Sequence, residues 1–254
     1  MISGEHKLSI FELRQRCQAS SPNPQGESLV GRFSRVFSIY FTRFFIFTSL
    51  TPNQITGLSV IVFFGGLLLL LFDSQIWNIV AAIIIFFSII LDGCDGEVAR
   101  YRKSGGITGT LYVEPMSHDI QYGLAFFLVG LILFKQTGES TLIVAGAGAS
   151  IAKLIYRLLD ARAWALKTAR QTVEELRQES LNHLVNFQDQ FLVRRIYYWV
   201  NKNLFSSTAL FPVLLIAALL GRMELFLYFF CVGYTLFSIL LFGKQIYDLT
   251  KGRL

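Results

Sequence analysis

Long apolar runs recur along this chain and are separated by shorter polar segments. Several of these runs are shorter than the roughly 20 residues that a helix needs to cross a bilayer, so each must extend into its polar flanks. The pattern therefore predicts an all-α, polytopic membrane protein with six transmembrane helices, whose polar flanks are buried between helices. The six runs are 55–72, 76–91, 120–134, 141–152, 206–220 and 225–242.

Two further segments have helical periodicity but carry many charges. Residues 29–50 mix aromatic and aliphatic side chains with Arg32, Arg35 and Arg43 at near-helical spacing. This pattern predicts an N-terminal helix lying in the membrane interface. The loop 160–205 combines Glu, Gln and Arg with apolar residues at helical spacing, which predicts an amphipathic cytoplasmic helix. That helix offers a surface for a homodimer, although nothing in the sequence requires one.

The first 28 residues differ from the rest of the chain. Residues 19–28 are rich in Ser, Pro and Gly, which indicates a linker. We therefore expect a polar N-terminal segment and linker over 1–28 and a six-helix membrane domain over 29–254. Residues 1–26 contain no apolar core before a cleavage site, so we expect no signal peptide.

Composition and charge narrow the function classes. An apolar content of 53% excludes an ordinary soluble domain. The net charge of +6 comes from basic residues at segment ends, so it indicates topology, and we expect no nucleic-acid partner. With both termini cytoplasmic, only Lys135 and Arg222 fall on the other side, which places the 92–119 region at the cytoplasmic face of the inner membrane. The three cysteines lack metal-ligand spacing and are expected to be free thiols.

Candidate chemistry concentrates in the polar stretch that follows Leu91. If the helix continues through it, Asp92, Asp95, Gly96 and Ala99 share one face. Two carboxylates one turn apart can bind a divalent cation such as Mg²⁺ or Mn²⁺, and the two small residues leave room for a ligand. Alternatively, the aspartates simply mark the end of a span. Acidic residues are costly at membrane depth, however, which favours a functional site.

A second polar cluster lies just before the third apolar run. Glu114 and His118 are four residues apart and would share one helical face, with Asp119 beside them. A carboxylate and an imidazole there can complete a metal site or supply a general base. The alternative is that Pro115 opens a helix whose first turn holds acidic residues beside the positive end of its dipole.

These residues resemble the CDP-alcohol phosphotransferase family, whose signature is D-x2-D-G-x2-A-R, a spacer of about eight residues, and G-x3-D-x3-D. Gly109 follows the first half at the expected interval, and the stretch 51–56 is similar to the start of the family's first span, with Pro52 or Asn53 expected to cap that helix. The first half of the signature is matched in full by Asp92, Asp95, Gly96, Ala99 and Arg100.

The second half of the signature departs from the family pattern. Counted from Gly109, the two expected aspartates fall on Val113 and Ser117, which cannot do that work. One inserted residue in the spacer moves these positions to Glu114 and His118 and keeps their separation. Asp119 competes with His118 for the last position.

The resemblance implies a membrane transferase that moves a substituted phosphate group from a CDP-linked donor to an alcohol, with release of CMP, in phospholipid biosynthesis. It implies that a divalent metal, Mg²⁺ or Mn²⁺, is bound by Asp92, Asp95 and Glu114. It implies a catalytic base, either His118 or Asp119. It implies contacts with the nucleotide and its phosphates by Gly93, Gly96, Ala99 and Arg100.

Other assignments remain open at this point. Lys153 and Arg157 are four residues apart at the cytoplasmic end of the fourth span and are candidates to bind an acidic acceptor or a lipid phosphate. Snorkelling toward the interface explains them equally well. No residue decides whether the lipid is donor or acceptor. The rival functions are a non-enzymatic carrier or channel and a catalytically altered relative of the family.

Overall fold

The protein is described by a computed structural model that covers residues 9–19, 27–170 and 192–251. Within these ranges every element is helical and no strand occurs, which confirms the predicted all-α fold. In the same ranges, five helices are long and apolar enough to cross a bilayer, so the protein is a polytopic membrane protein. These helices are Pro52–Phe72, Gln75–Arg102, Gly109–Thr137, Ser140–Ala169 and Met223–Thr250.

The predicted number of six spans is approximate. Each of the five long helices extends an apolar run into its polar flanks, as expected from the length that a bilayer requires. The run 206–220 instead contains the short helix Leu210–Leu219. At 1.5 Å per residue it is about 15 Å long, roughly half of the hydrocarbon thickness.

The elements follow one another along the chain with short connections. The α-helices are α1 Ile10–Leu13, α2 Leu29–Phe45, α3 Pro52–Leu68, α4 Gln75–Arg102, α5 Glu114–Thr137, α6 Ser140–Arg170, α7 Leu192–Leu204, α8 Leu210–Leu219 and α9 Met223–Thr250. A turn of π-helix, Arg14–Gln18, continues α1, and another, Gly109–Val113, leads into α5. Short 3₁₀ turns, Leu69–Phe72 and Ser207–Ala209, follow α3 and precede α8.

The first span begins with a capping box. The Thr51 hydroxyl accepts the backbone N–H of Gln54, and the Gln54 side chain accepts the N–H of Thr51. Pro52 is the first helical residue, where its missing N–H costs nothing. The expectation that Pro52 or Asn53 caps this helix is therefore wrong, because only a side chain one residue earlier can reach the free N–H groups.

Helix α2 has two different faces. Its buried face carries small hydroxyl residues such as Ser38 and Thr42. On the other face Phe33, Tyr40 and Phe44 are each more than half exposed. An exposed aromatic face on a helix that does not span suits the predicted position in the membrane interface, although the helix ends at Phe45 rather than at residue 50.

The described chain divides into two compact units. The first runs to Gln121 and includes Ser207–Met223. In it α4 packs against α2, α3 and α8, so the motif-bearing helix is central to this unit. Its core includes the buried residues Phe45, Ile55, Leu91, Cys94 and Val98.

The second unit comprises Tyr122–Ser206 and the chain from Glu224 onward. Here α5 and α6 approach so closely that their backbones touch. A Cβ atom at Gly146 would lie 2.5 Å from the carbonyl oxygen of Phe126, and one at Gly130 would lie 2.6 Å from that of Leu142. Only glycine fits at either position, a common arrangement where helices pack inside membranes.

Two sequence predictions fall partly outside the described residues. Of the loop 160–205, the structure describes the end of α6 and the amphipathic helix α7, while residues 171–191 lie outside the described ranges. Of the linker 19–28, residues 20–26 also lie outside them.

Candidate active site

Helix α4 continues without a break through the polar motif, as the shared face of its residues requires. Asp95 is 9% exposed and accepts two hydrogen bonds, from the Thr56 hydroxyl to Oδ2 and from the backbone N–H of Gly96 to Oδ1. Thr56 belongs to α3, so the first span holds this carboxylate in place. The role of Thr56 was not predicted, because nothing in the local sequence indicates which helix faces Asp95.

The two halves of the motif meet between α4 and α5. The His118 Nε2 atom lies 3.2 Å from Oδ2 and 3.3 Å from Oδ1 of Asp92. The imidazole therefore faces both oxygens of the carboxylate. Asp119, the competing candidate, is the next residue along α5 and is half-buried. The structure thus brings His118 to the first half of the motif.

A π-helical turn lies where the alignment with the family signature places one inserted residue. The backbone N–H of Glu114 bonds to the carbonyl of Gly109, which closes a π-helical turn over Gly109–Val113. A π-turn holds one residue more than an α-helical turn, and such turns are frequent at functional sites. This turn could therefore accommodate one inserted residue before α5 begins. Ser117, one of the unshifted positions, is buried and donates its hydroxyl to the Glu114 carbonyl.

A cavity of about 480 Å³ opens beside the motif, which is within the size range of small-ligand sites. The carboxylates of Asp95 and Glu114 are both on its wall, together with Gly96 and Ala99. Asp92, one turn before Asp95, lies close enough to interact electrostatically with both carboxylates. The rest of the wall is formed by the start of α3 and by the segment between α4 and α5.

The small residues of the motif have separate structural roles. A Cβ atom at Gly96 would lie 3.1 Å from Nη1 of Arg100, so this glycine makes room for the guanidinium. At Gly93 the nearest atoms belong to Ser38 of α2, at 3.6 Å. Of the four residues predicted to contact the nucleotide, Gly96 and Ala99 therefore line the cavity, Arg100 covers Gly96, and Gly93 faces α2.

Arg102 closes another side of the cavity. Its guanidinium donates to the backbone carbonyls of Phe45 (2.9 Å), Thr48 (2.6 Å) and Leu50 (2.5 Å). These carbonyls lie at the end of α2 and in the connection to α3, so one side chain fixes the connection that precedes Thr51 and Pro52 on the cavity wall. From the sequence, Arg102 was interpreted only as a topology signal, and this role was missed.

Glu97 is a second buried carboxylate on α4, only 1% exposed. It accepts hydrogen bonds from Ser38 (2.6 Å), Thr42 (2.6 Å) and the side-chain amide of Gln18 (2.8 Å). Glu97 occupies a variable position of the motif and was assigned no role from the sequence. A usable signal was present, since an acidic residue on a helix predicted to be buried requires hydrogen-bond donors.

The family model described as CDP-alcohol phosphatidyltransferase matches residues 49–177, half of the chain. The chain belongs to the CDP-alcohol phosphatidyltransferase family. The match contains both halves of the motif, whereas α1 and α2 precede it. Members of this family are generally transferases of the CDP-alcohol phosphotransferase type and generally depend on divalent metal. The comparison with curated proteins gives no match.

The acidic side chains of the motif have the right chemistry to bind the divalent metal on which the family generally depends, but their present arrangement does not form a metal site. Carboxylate oxygens are the ligands that Mg²⁺ and Mn²⁺ prefer, and Asp92, Asp95 and Glu114 supply them. Both oxygens of Asp92, however, face His118. Among the residues that the structure describes, no three His, Cys, Asp or Glu side chains are grouped closely enough to hold a metal ion.

The predicted phosphate-binding pair lies in the second unit of this family member. Lys153 is 4% exposed, and its Nζ atom lies 3.3 Å from the carbonyl oxygen of Phe205 and 4.4 Å from the ring centroid of Tyr234. Its ammonium is thus enclosed by backbone and aromatic rings. Arg157, one turn later on α6, is half-buried. Binding of an acceptor or lipid phosphate by this pair stays a prediction.

Proposed function

We propose that this protein is an integral membrane transferase that moves a substituted phosphate group from a CDP-linked donor, CDP-diacylglycerol or a CDP-alcohol, to an alcohol, with release of CMP. One observation carries the proposal. The Asp92–His118 contact joins the two halves of the family motif, with Asp95 and Glu114 on the wall of the adjacent cavity.

His118 is the proposed general base. With Asp92 ionised, its oxygens accept the Nε2 hydrogen, and Nδ1 then carries the lone pair that takes the proton of the alcohol. The alcohol oxygen forms a bond to the phosphorus that bears the transferred group. The bond from that phosphorus to the bridging oxygen breaks, and CMP leaves with the electron pair. The Asp92 carboxylate stabilises the resulting imidazolium, as acidic residues do in other Asp–His pairs.

The cavity is the proposed donor site. The Arg100 guanidinium, lying over Gly96, is suited to a phosphate because its planar fork can donate two parallel hydrogen bonds. Thr56 and the N–H of Gly96 keep Asp95 fixed, so that it stays on the cavity wall. A divalent cation held by Asp92, Asp95 and Glu114 would act as a Lewis acid and offset the charge on the leaving CMP.

The proposed setting is the cytoplasmic face of the inner membrane, in phospholipid biosynthesis. The asymmetric distribution of lysine and arginine supports this orientation. A lipid takes part in the reaction either as CDP-diacylglycerol or as the acceptor. Both routes release CMP, which makes CMP the common product to measure.

The test uses purified full-length protein. It is incubated with labelled CDP-diacylglycerol and a panel of polar alcohols, and separately with CDP-linked alcohols and lipid acceptors. We expect CMP release with one donor class, abolished by EDTA and restored by added Mg²⁺ or Mn²⁺. Absence of CMP release with every donor would contradict the proposal. Ion flux through reconstituted vesicles without nucleotide turnover would indicate a carrier or channel instead.

A further inference from the structure

The N-terminal segment Ile10–Gln18 packs onto the helices that carry the site. Leu13 and Cys17 are both fully buried, in a cluster with Ile39 of α2. Tyr101 of α4 packs against the same cluster. The segment lies outside the family match, which begins at residue 49.

Two polar contacts join this segment to the motif helix. The carbonyl oxygen of Cys17 accepts a hydrogen bond from Nε of Arg100. The side-chain amide of Gln18 donates at 2.8 Å to Glu97 and also at 2.8 Å to the backbone carbonyl of Arg35. Adjacent residues of the segment thus contact two residues of α4 that lie almost one turn apart.

The end of a helix explains why the Cys17 carbonyl is available. The last carbonyls of a helix have no partner within it. The N–H of Ala19 closes the π-turn on Arg14, and Cys17 lies within that last turn. Its carbonyl therefore points beyond the segment, where the Arg100 side chain supplies the donor.

This hydrogen bond constrains the phosphate-binding end of Arg100. A free arginine side chain has many rotamers, and ordering it on ligand binding costs free energy. With Nε bonded to Cys17, the two Nη groups lie over Gly96, a residue that lines the cavity. The guanidinium is held next to the proposed donor site before a donor arrives.

We propose that the segment Ile10–Gln18 is a positioning element of the active site, which holds Arg100 ready for a donor phosphate and is itself anchored by the Gln18–Glu97 hydrogen bond. The inference rests on the proposed function, since it assigns a task to Arg100 in donor binding. Gln18 and Glu97 are positioning residues and do not contact the donor.

The test compares Gln18→Ala with Gln15→Ala in the full-length protein. Gln15 lies in the same segment but is exposed, so the control removes the same side chain without the anchor. For Gln18→Ala we expect the KM for the CDP-linked donor to rise about tenfold, as for the loss of one hydrogen bond to a charged group, with kcat changed less than about threefold. Gln15→Ala should match the wild type.

A second measurement separates positioning from general loosening. Affinity for CDP is measured in Arg100→Ala and in the double variant with Gln18→Ala. If Gln18 acts through Arg100, its replacement adds nothing once Arg100 is gone. Peptide mapping after maleimide treatment reports docking, because Cys17 is buried and should react faster when the segment is released.

The outcomes distinguish the inference from the function on which it rests. An active Gln18→Ala variant with an unchanged donor KM would overturn the inference, whether or not Cys17 becomes reactive. Additive losses in the double variant would also overturn it. Absence of CMP release by the wild type would refute the proposed function, and the inference with it.

Discussion

Two buried carboxylates on α4 stand two residues apart and have opposite surroundings. Asp95 lies on the wall of the cavity, beside Glu114. Glu97 is directed to the other side of the helix, about 200° away, where α2 and the N-terminal segment surround it with hydrogen-bond donors. An acidic residue inside a membrane protein can thus belong to a reaction site or to a packing contact between helices. The residues that face the carboxylate decide which.

The number of bonds made by each carboxylate shows the same difference. Glu97 accepts three hydrogen bonds from side chains and is 1% exposed, which leaves no room for a ligand. Asp95 accepts one bond at each oxygen. Since a carboxylate has about four lone-pair positions, Asp95 keeps acceptor capacity toward the cavity.

The largest expected effect comes from neutralising the Asp95 and Glu97 carboxylates in turn. We expect Asp95→Asn to lower kcat about 10³-fold, because the site loses one of the carboxylates proposed to hold the divalent cation. Glu97→Gln should keep kcat within about threefold, since the amide oxygen can still accept from Gln18 and Ser38 and the amide NH2 can donate to the Thr42 hydroxyl. CMP release measures both. Equal losses of kcat in the two folded variants would contradict the assignment of the two sides.

The second prediction concerns α5, the helix that faces the cavity side of α4. His118→Ala should lower kcat about 10²-fold, the usual contribution of a general base. Asp119→Asn is the matched control and should lower it far less, because His118 is the residue that contacts Asp92. CMP release at saturating donor and acceptor measures the difference. A larger loss in Asp119→Asn would transfer the base to that residue.

The third prediction tests whether the π-turn keeps α5 aligned with the cavity side of α4. Deleting Tyr112, an exposed residue within the turn, should convert it to an α-helical turn and keep activity within about tenfold. Deleting Met116 breaks the spacing of Glu114 and His118 and should cost about as much as His118→Ala. Turnover and thermal unfolding of both variants are measured. Comparable inactivation by both deletions in folded protein would contradict the role of the π-turn.

The smallest expected effect concerns the buried contacts around Glu97, on the side of α4 away from the cavity. Burial, and to a lesser extent the charge of Glu97, raise the pKa of the Cys17 thiol to about 11. The thiolate fraction at pH 8 is therefore low, and alkylation should accelerate as the pH rises toward 11. Glu97→Gln removes a negative charge that favours the protonated thiol, so it should raise the alkylation rate at pH 8 a few-fold. A Glu97→Gln alkylation rate equal to that of the wild type at pH 8 would contradict this electrostatic contact.

Much of the fold was predictable because it depends on local pattern. The apolar runs predicted the all-α membrane fold, and the four-residue spacing of Glu114 and His118 predicted their shared face. Contacts between distant segments were not predictable in this way. Thr56, Glu97 and Arg102 each depend on which helix is their neighbour, and a single sequence gives no measure of that. The length of the short helix α8 was overestimated for a related reason, since apolar composition does not determine where a helix ends.

The π-turn before α5 has a consequence for how such families diverge. A wide turn at a helix start is a place where a chain can gain or lose one residue without rebuilding the bilayer-embedded parts on either side. The spacer of a membrane-enzyme signature can then differ by one residue at such a turn. A search pattern that fixes the number of spacer residues would discard relatives whose site geometry is intact. With one residue inserted, the alignment puts Glu114 and His118 where the signature has two Asp residues, and backbone length and active-site chemistry would then vary together in this chain.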